Sequence, residues 1–179
     1  MRVLLKYLIL ALLAAMLFMA QLTLAILPNV ELVTLLLMCI ATSFKFKDGI
    51  LAVLLFTLLE GLYWGFADWT LGYLWIWSLL VILTQITKPL TQLKTNRMAI
   101  LGGLFGLAFG FLFAIQHAVL YGFTMGLSYW MMGIGFDLIH GFANYTLILL
   151  LFEPINTLLS HLIRKAEHRY GHRHHENGR

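Results

Sequence analysis

The sequence predicts an all-α integral membrane protein that crosses the bilayer six times, and three observations support this fold class. Hydrophobic residues occupy 61% of the 179 positions, whereas a soluble domain contains about 45–50%. Charged residues occupy 11%, which is too few to cover the surface of a soluble fold of this size. Apolar runs recur from Val3 to Phe152, so the hydrophobicity is not that of one amino-terminal signal peptide.

Polar and helix-breaking residues divide the chain into spans, each of which needs about 20 apolar residues to cross the hydrocarbon. Pro28-Asn29 ends the first span, a charged turn from Lys45 to Gly49 follows the second, Asp68 ends the third, and Lys88-Pro89 ends the fourth. The second span is short, so we expect it to be tilted, to lie in a thin region or to be shielded by its neighbours. The six predicted spans are residues 3–27, 32–44, 50–67, 69–87, 98–116 and 129–152.

Besides the turns between the first five spans, which include a polar, basic loop at residues 90–97, two longer segments are expected to lie outside the spans. Residues 117–128 contain glycine and tyrosine and are predicted to form a loop or a re-entrant turn. Glu153-Pro154 marks the exit of the sixth span, which divides the chain into a six-span domain, residues 1–155, and a basic tail, residues 156–179. The tail has little apolar surface to bury, and its histidines are expected to stay solvated or to contact anionic headgroups rather than to bind a metal. These histidines are His161, His168, His172, His174 and His175.

The basic residues predict the orientation of the chain. With six spans, all twelve lysines and arginines lie on the side that holds both termini, whereas the loops near Asn29, Asp68 and Gly122 contain none. Because positively charged loops stay in the cytoplasm, both termini are predicted to be cytoplasmic. Five or seven spans would scatter these charges over both faces.

Ionisable residues inside the predicted spans are candidates for a binding site. Glu60 lies near the midplane, about 15 Å from the cytoplasmic end of the third span. An aspartate at the centre of a membrane helix costs roughly 2.5–3.5 kcal/mol, so Glu60 and Asp137 should each face a protein interior, a cavity or a ligand. Asp137, His140 and Asn144 share one helical face because their spacing is i, i+3, i+7, and Trp130 lies one heptad earlier.

Aromatic residues accompany these acids. All five tryptophans fall in the predicted outer half of the bilayer, although an interfacial belt would populate both interfaces. This asymmetry predicts an aromatic-lined cavity that opens outward, with polar groups that orient a small molecule; the same stripes could instead join helices through interhelical hydrogen bonds. The candidate substrate-binding residues are Glu60, Tyr63, Trp64, Trp77, His117, Trp130, Asp137, His140 and Asn144.

Two small-residue motifs predict close contacts between helices. Gly102, Gly106 and Gly110 repeat every four residues in the fifth span and favour packing within the molecule. Ala11 and Ala15 form a similar pair in the first span, which is otherwise rich in leucine and suited to face lipid or another protein.

The arrangement resembles the substrate-binding S components of energy-coupling factor (ECF) type vitamin transporters. The resemblance covers about residues 1–155, and its local strings are PNVELVT at residues 28–34 and FDLIHG at residues 136–141. It implies a multi-pass protein of the bacterial plasma membrane that captures a vitamin-like molecule from outside and delivers it with a transmembrane scaffold subunit and two cytoplasmic ATPases. In that family a small-residue pair such as Ala11 and Ala15 contacts the scaffold.

Two other functions stay open at this level. Glu60, Asp137 and His140 could form the proton relay of a self-contained secondary permease, although the two halves of the chain show no clear duplication. Asp137 and His140 could also act together as the general base of an intramembrane enzyme, but no serine or cysteine nucleophile is obviously paired with them. We therefore expect that the chain is not an enzyme. Because it lacks a GxxxxGK[ST] loop, ATP hydrolysis must come from partners.

The sequence predicts no cofactor, no metal site and no nucleic-acid partner. The single cysteine, Cys39, excludes an internal disulfide and a cysteine-based metal cage. Metal-transporting S components carry an amino-terminal metal-binding motif that this chain lacks. Acids beside aromatic walls suit a planar, hydrogen-bonding heterocycle, either cationic or neutral.

Overall fold

The structure, a computed structural model, describes residues 3–176, with side chains from residue 4 to residue 166. This part of the chain forms six helices and no strand, which confirms the all-α prediction. The helices are α1 (Val3–Leu24), α2 (Val33–Ser43), α3 (Phe46–Trp64), α4 (Asp68–Thr91), α5 (Thr95–Tyr121) and α6 (Phe123–Glu176). The end of the predicted tail and the side chains of Arg2, His168, His172, His174 and His175 lie outside the described residues.

Four helices are long and apolar enough to cross a membrane, which is typical of a membrane protein. These four are Leu4–Leu24, Asp68–Thr91, Thr95–Tyr121 and Phe123–Ala166. Helix α2 is a shorter apolar helix, and α3 has 19 residues that include Lys47, Asp48 and Glu60.

The short helix α2 lies at the centre of the bundle, in contact with α1, α3, α4 and α6. Nine of its eleven residues are buried. At 1.5 Å per residue its length is about 16 Å, roughly half of the thickness of the hydrocarbon. Neighbouring helices therefore shield this segment, which is one of the three alternatives that its length predicts.

Glycines allow α5 and α6 to approach closely. A Cβ atom at Gly106 would meet the backbone of His140 and Gly141, and a Cβ atom at Gly110 would meet the carboxylate of Asp137. All three glycines of the predicted ridge in α5 face α6, so the prediction of packing within the molecule is confirmed. This contact places two of the candidate binding residues directly against α5.

Basic residues make polar contacts at one end of the bundle. Lys6 Nζ donates to Asp48 Oδ1 at 2.7 Å and joins the start of α1 to the start of α3. Lys88 Nζ donates to the Thr42 carbonyl at 2.9 Å and joins the end of α4 to the end of α2. Thr42 also donates through its hydroxyl to Asn156 on α6, at 3.0 Å. Because the described lysines and arginines lie near these helix ends, we call this end of the molecule the basic end.

The prediction of a loop over residues 117–128 is wrong. Helix α5 continues to Tyr121 and α6 begins at Phe123, so Gly122 alone connects them. Its φ angle of 94° lies in the left-handed region, which glycine adopts without steric strain. The polarity of Gln116 suggests a helix end, but hydrogen bonds to α4 satisfy this side chain inside the helix.

Helix α6 does not end at Glu153-Pro154, the predicted exit of the sixth span, but continues through Pro154 to Glu176. Its 54 residues correspond to about 80 Å of helix. Proline removes one backbone donor and strains the preceding turn, yet the residues beyond it have partners. Leu159 is buried in the apolar core and Ile163 packs against that core. The first part of the predicted tail therefore does bury apolar surface.

Candidate ligand-binding site

A cavity of about 350 Å³, here called the Glu60 cavity, lies at the end of the bundle opposite the basic end. Its walls come from the end of α1, the connection between α1 and α2, the end of α3, the start of α4 and the facing sides of α5 and α6. The lining residues are Gln21, Leu24, Ala25, Leu27, Pro28, Asn29, Val30, Glu31, Glu60, Trp64, Trp69, Tyr73, Trp77, Phe109 and His140.

A second cavity of about 540 Å³, here called the Asp137 cavity, adjoins the first. Asn29, Trp69, Tyr73 and Phe109 line both cavities. Asp137 adds a carboxylate to the second cavity. The two cavities therefore form one site, with Glu31 and Glu60 in the first compartment and Asp137 in the second.

A buried polar network holds the connection between α1 and α2 against α6. The Glu31 carboxylate accepts a hydrogen bond from the Thr34 backbone N–H at 2.8 Å and another from the Thr34 hydroxyl. His140 Nε2 lies 3.1 Å from Glu31 Oε1, and Asn144 Nδ2 donates to the Thr34 hydroxyl at 3.0 Å. All four side chains are buried. Because Thr34 lies in the first turn of α2, Glu31 also faces the positive end of that helix dipole.

These contacts control the ionisation of Glu31, which lies between the helices rather than within one. Burial alone would raise the pKa of its carboxyl group, but the hydrogen bonds from His140 and Thr34 outweigh burial and hold that pKa below its usual value. Glu31 is therefore a carboxylate whose charge is already matched by partners within the protein.

Four polar atoms of residues that line the Glu60 cavity are buried without a hydrogen-bond partner among the described residues. They are Gln21 Oε1, Glu60 Oε1, Trp77 Nε1 and His140 Nδ1. Glu60 is 3% exposed, and Trp77 and His140 are each 2% exposed. Leaving such a group unpaired costs roughly 1–3 kcal/mol, so four of them beside one cavity indicate a place where a bound molecule or water completes the hydrogen bonding.

Asp137 supplies a similar group to its own cavity. Its Oδ1 atom accepts a hydrogen bond from the Gly110 N–H at 2.8 Å. Its Oδ2 atom is buried and has no hydrogen-bond partner in the described part of the chain. One oxygen thus fixes the carboxylate against α5, and the other remains free to accept a hydrogen bond.

Aromatic rings form a wall that the two cavities share. Tyr73 meets Trp69 and Trp77 edge to face, at centroid distances of 5.2 and 5.9 Å. Phe109 lies 5.1 Å from Trp77 and 4.8 Å from His140, again between ring centroids. Such rings present flat faces that stack on a planar molecule or attract a cation.

The structure brings together five of the nine predicted binding residues. Glu60, Trp64, Trp77 and His140 line the Glu60 cavity, and Asp137 lines the adjoining one. The remaining four predicted residues line neither cavity.

Those four residues have other surroundings. Tyr63 is 56% exposed, and Trp130 is 37% exposed. Asn144 is buried and binds Thr34 on α2 rather than facing a cavity. His117 stacks on Tyr129, with 4.1 Å between ring centroids.

His117 belongs to a polar cluster that joins α4 to α5. Its Nε2 atom lies 4.0 Å from Asp68 Oδ2, and the Tyr121 hydroxyl donates to the same oxygen at 3.1 Å. Gln116 Nε2 donates to the Asp68 carbonyl at 2.8 Å. The cluster borders the Asp137 cavity through Tyr129 but does not line it.

Several lining residues are absent from the sequence-based set, and the sequence carries a signal for two groups of them. Glu31 stands three residues before Thr34 at the start of an apolar run, a spacing typical of a side chain that caps a helix. Trp69 and Tyr73 precede Trp77 at four-residue intervals, so one helical face carries all three rings. The aromatic face is a signal that predicts Trp69 and Tyr73 beside Trp77, whereas the spacing of Glu31 and Thr34 predicts only a cap on α2.

Among the described residues, no group of three His, Cys, Asp or Glu side chains is placed to hold a metal ion. Comparisons of the chain with protein families, with curated proteins and with solved structures give no match.

Proposed function

We propose that the chain is a six-span integral membrane protein that captures a vitamin-like small molecule from outside, as the S subunit of an ECF-type importer. The observation that carries the proposal is the pair of adjoining cavities with buried, unpaired polar atoms at Glu60, Trp77, His140 and Asp137. Small-molecule sites are typically concave, of about 300–1,000 Å³, and mostly apolar with a few polar groups that fix orientation. Both cavities fall within that range of volume.

The distribution of charge supports a multi-pass protein whose cavities open away from the cytoplasm. The described lysines and arginines lie near the basic end, and the cavities lie at the opposite end. Since basic residues flank the cytoplasmic ends of spans, a molecule would enter the site from the outer side. In this proposal the membrane is the plasma membrane of a bacterium.

The surface of α1 supports contact with a membrane partner. Ala11 and Ala15 are both exposed and lie one turn apart on this helix. Leu4, Leu8 and Met19 are also exposed along it. Small residues on an apolar helix face allow another helix to approach closely. In this proposal the partner is the scaffold subunit, which carries two cytoplasmic ATPases.

Purification from the native membrane tests the assembly. We expect an affinity-tagged chain to be recovered with a scaffold subunit and two ATPase subunits, and we expect uptake to depend on ATP. If the chain is recovered alone and a proton gradient drives uptake, the secondary permease is the correct function, with Glu60, Asp137 and His140 as its proton relay.

A bulky substitution tests the docking face. Ala11→Trp should reduce the recovery of ATPase subunits by about tenfold, equivalent to ~1.4 kcal/mol, because the indole prevents close helix approach. Ligand binding by the isolated variant should be unchanged. Leu104→Trp is the control, since Leu104 is 60% exposed on α5, a helix that does not pack closely against α1. Normal assembly of the Ala11 variant would rule out this face.

A further inference from the structure

The charges around the two cavities identify the chemical class of the captured molecule, an inference that rests on the proposed capture function. Two acids with unpaired buried oxygens, Glu60 and Asp137, line the site. No lysine or arginine lines either cavity in the described part of the chain. Two of the lysines instead make their contacts at the other end of the bundle, where Lys6 pairs with Asp48 and Lys88 caps α2.

The third acid of the site, Glu31, does not add to this excess of unpaired negative charge. Its oxygens accept hydrogen bonds from Thr34 and contact His140, and the amino-terminal end of α2 adds a positive dipole. Glu60, by contrast, makes no hydrogen bond to any described residue through its buried Oε1 atom. The difference between these two glutamates singles out Glu60 as the acid that lacks a positive partner.

The walls beside Glu60 suit a positive charge on a flat molecule. Trp64, Trp69, Tyr73 and Trp77 line the same cavity as Glu60. An aromatic face attracts a cation, and the attraction is stronger when the pair is desolvated. A carboxylate, an indole donor and several ring faces therefore meet in one compartment, while an anionic molecule would find no described lysine or arginine there.

We infer that the site binds an organic cation that carries a planar ring, with the positive charge beside Glu60 and the ring against the aromatic wall. A positive charge at this position favours the ionised form of the carboxyl group and supplies the partner that Glu60 lacks. The free oxygen of Asp137 accepts a hydrogen bond from the part of the molecule that reaches the adjoining cavity.

Three pyridine probes that share one ring and differ in charge test this inference on the purified full-length chain. They are 1-methylnicotinamide, a cation, nicotinamide, which is neutral, and nicotinate, an anion. Quenching of tryptophan fluorescence reports binding, because three of the five tryptophans line the Glu60 cavity. We expect the cation to bind about tenfold or more tightly than the neutral probe, and the anion to bind more weakly than either.

Glu60→Gln should remove most of this preference, since it keeps the shape of the side chain and removes the charge. Glu153→Gln is the matched control, because Glu153 is exposed and lies at the other end of the bundle. Equal or tighter binding of the neutral or anionic probe would overturn the inference. So would the absence of saturable binding of the cation at millimolar concentration, or an unchanged preference in the folded Glu60 variant.

The purification and probe-binding experiments together distinguish a failure of this inference from a failure of the proposed function on which it rests. If ATPase subunits are recovered with the chain but the cation has no advantage, the importer assignment stands and the charge class is wrong. If the cation binds selectively but the chain is recovered alone, the charge class stands and the importer assignment is wrong.

Discussion

The Glu31 carboxylate links the connection between α1 and α2 to the middle of α6. Thr34 and His140 hold it in place, and their hydrogen bonds keep the pKa of the carboxyl group below its usual value of 4.5 although burial alone would raise it. A carboxyl group whose pKa is lower in the folded state stabilises the fold when it is ionised. That stabilisation is fully present above pH 4.5 and is lost as the pH falls through the folded-state pKa.

Glu31→Gln tests this pH dependence. We expect the wild type to unfold at a higher temperature than the variant at neutral pH, and we expect the difference to shrink on acidification to about pH 3. Thermal unfolding followed by tryptophan fluorescence across this range provides the measurement. A difference that is constant with pH would show that the ionisation of Glu31 does not stabilise the fold.

Residues of the site differ in how far the sequence predicts them. Glu60 and His140 are predictable, because an ionisable group in an apolar helix must face the interior to avoid lipid. The surroundings of Trp130 are not predictable, because a residue one heptad before Asp137 can equally lie at the edge of the bundle. Glu31 lies outside the helices, so only the path of the connection brings it to the site.

The contact between α5 and α6 fixes the position of the acids and the imidazole at the element scale. Gly106 is packed against the backbone of His140 and Gly141. Backbone atoms cannot move aside as the end of a flexible side chain can, so even one added methyl group must push the two helices apart.

Gly106→Ala should therefore lower the free energy of unfolding by about 1–3 kcal/mol. Gly135→Ala on α6 is the matched control, because a Cβ atom there meets open space, and alanine in a helix is favoured over glycine by up to ~1 kcal/mol. Thermal unfolding of the two purified variants distinguishes them. Equal stability would show that the helix contact at Gly106 is looser than the structure indicates.

The sequence predicts the existence of the helices better than their ends. Six apolar segments correspond to six helices because length and hydropathy determine them, whereas the ends depend on tertiary contacts. Gln116 is polar but lies inside α5, bonded to α4. Pro154 lies inside α6 because the residues after it bury apolar surface against the core.

At the scale of the whole molecule, the separation of the basic end from the cavities predicts which surfaces face outward. Ala67, between α3 and α4, and Asn96, at the start of α5, are both exposed and lie at opposite ends of α4. A membrane-impermeant maleimide applied to intact cells should label Ala67→Cys and spare Asn96→Cys until the cells are permeabilised.

The native cysteine provides the control for this labelling. Cys39 is buried, so the wild type should stay unlabelled, and a Cys39→Ala background removes its thiol altogether. Labelling of both engineered cysteines in intact cells, or of Asn96→Cys alone, would contradict the orientation predicted from the basic residues.

The brevity of α2 has a consequence for the interior of the molecule. A complete crossing takes about 20 residues, and α2 has eleven, so in the proposed six-span arrangement the second span lacks roughly two to three helical turns. Non-helical backbone at such depth persists only where protein or a cavity surrounds it, and the segment before α2 lines the Glu60 cavity. A molecule bound there would fill the space of the missing helical turns. Its binding or release would therefore change the packing around α2, at the centre of the bundle, rather than at the periphery.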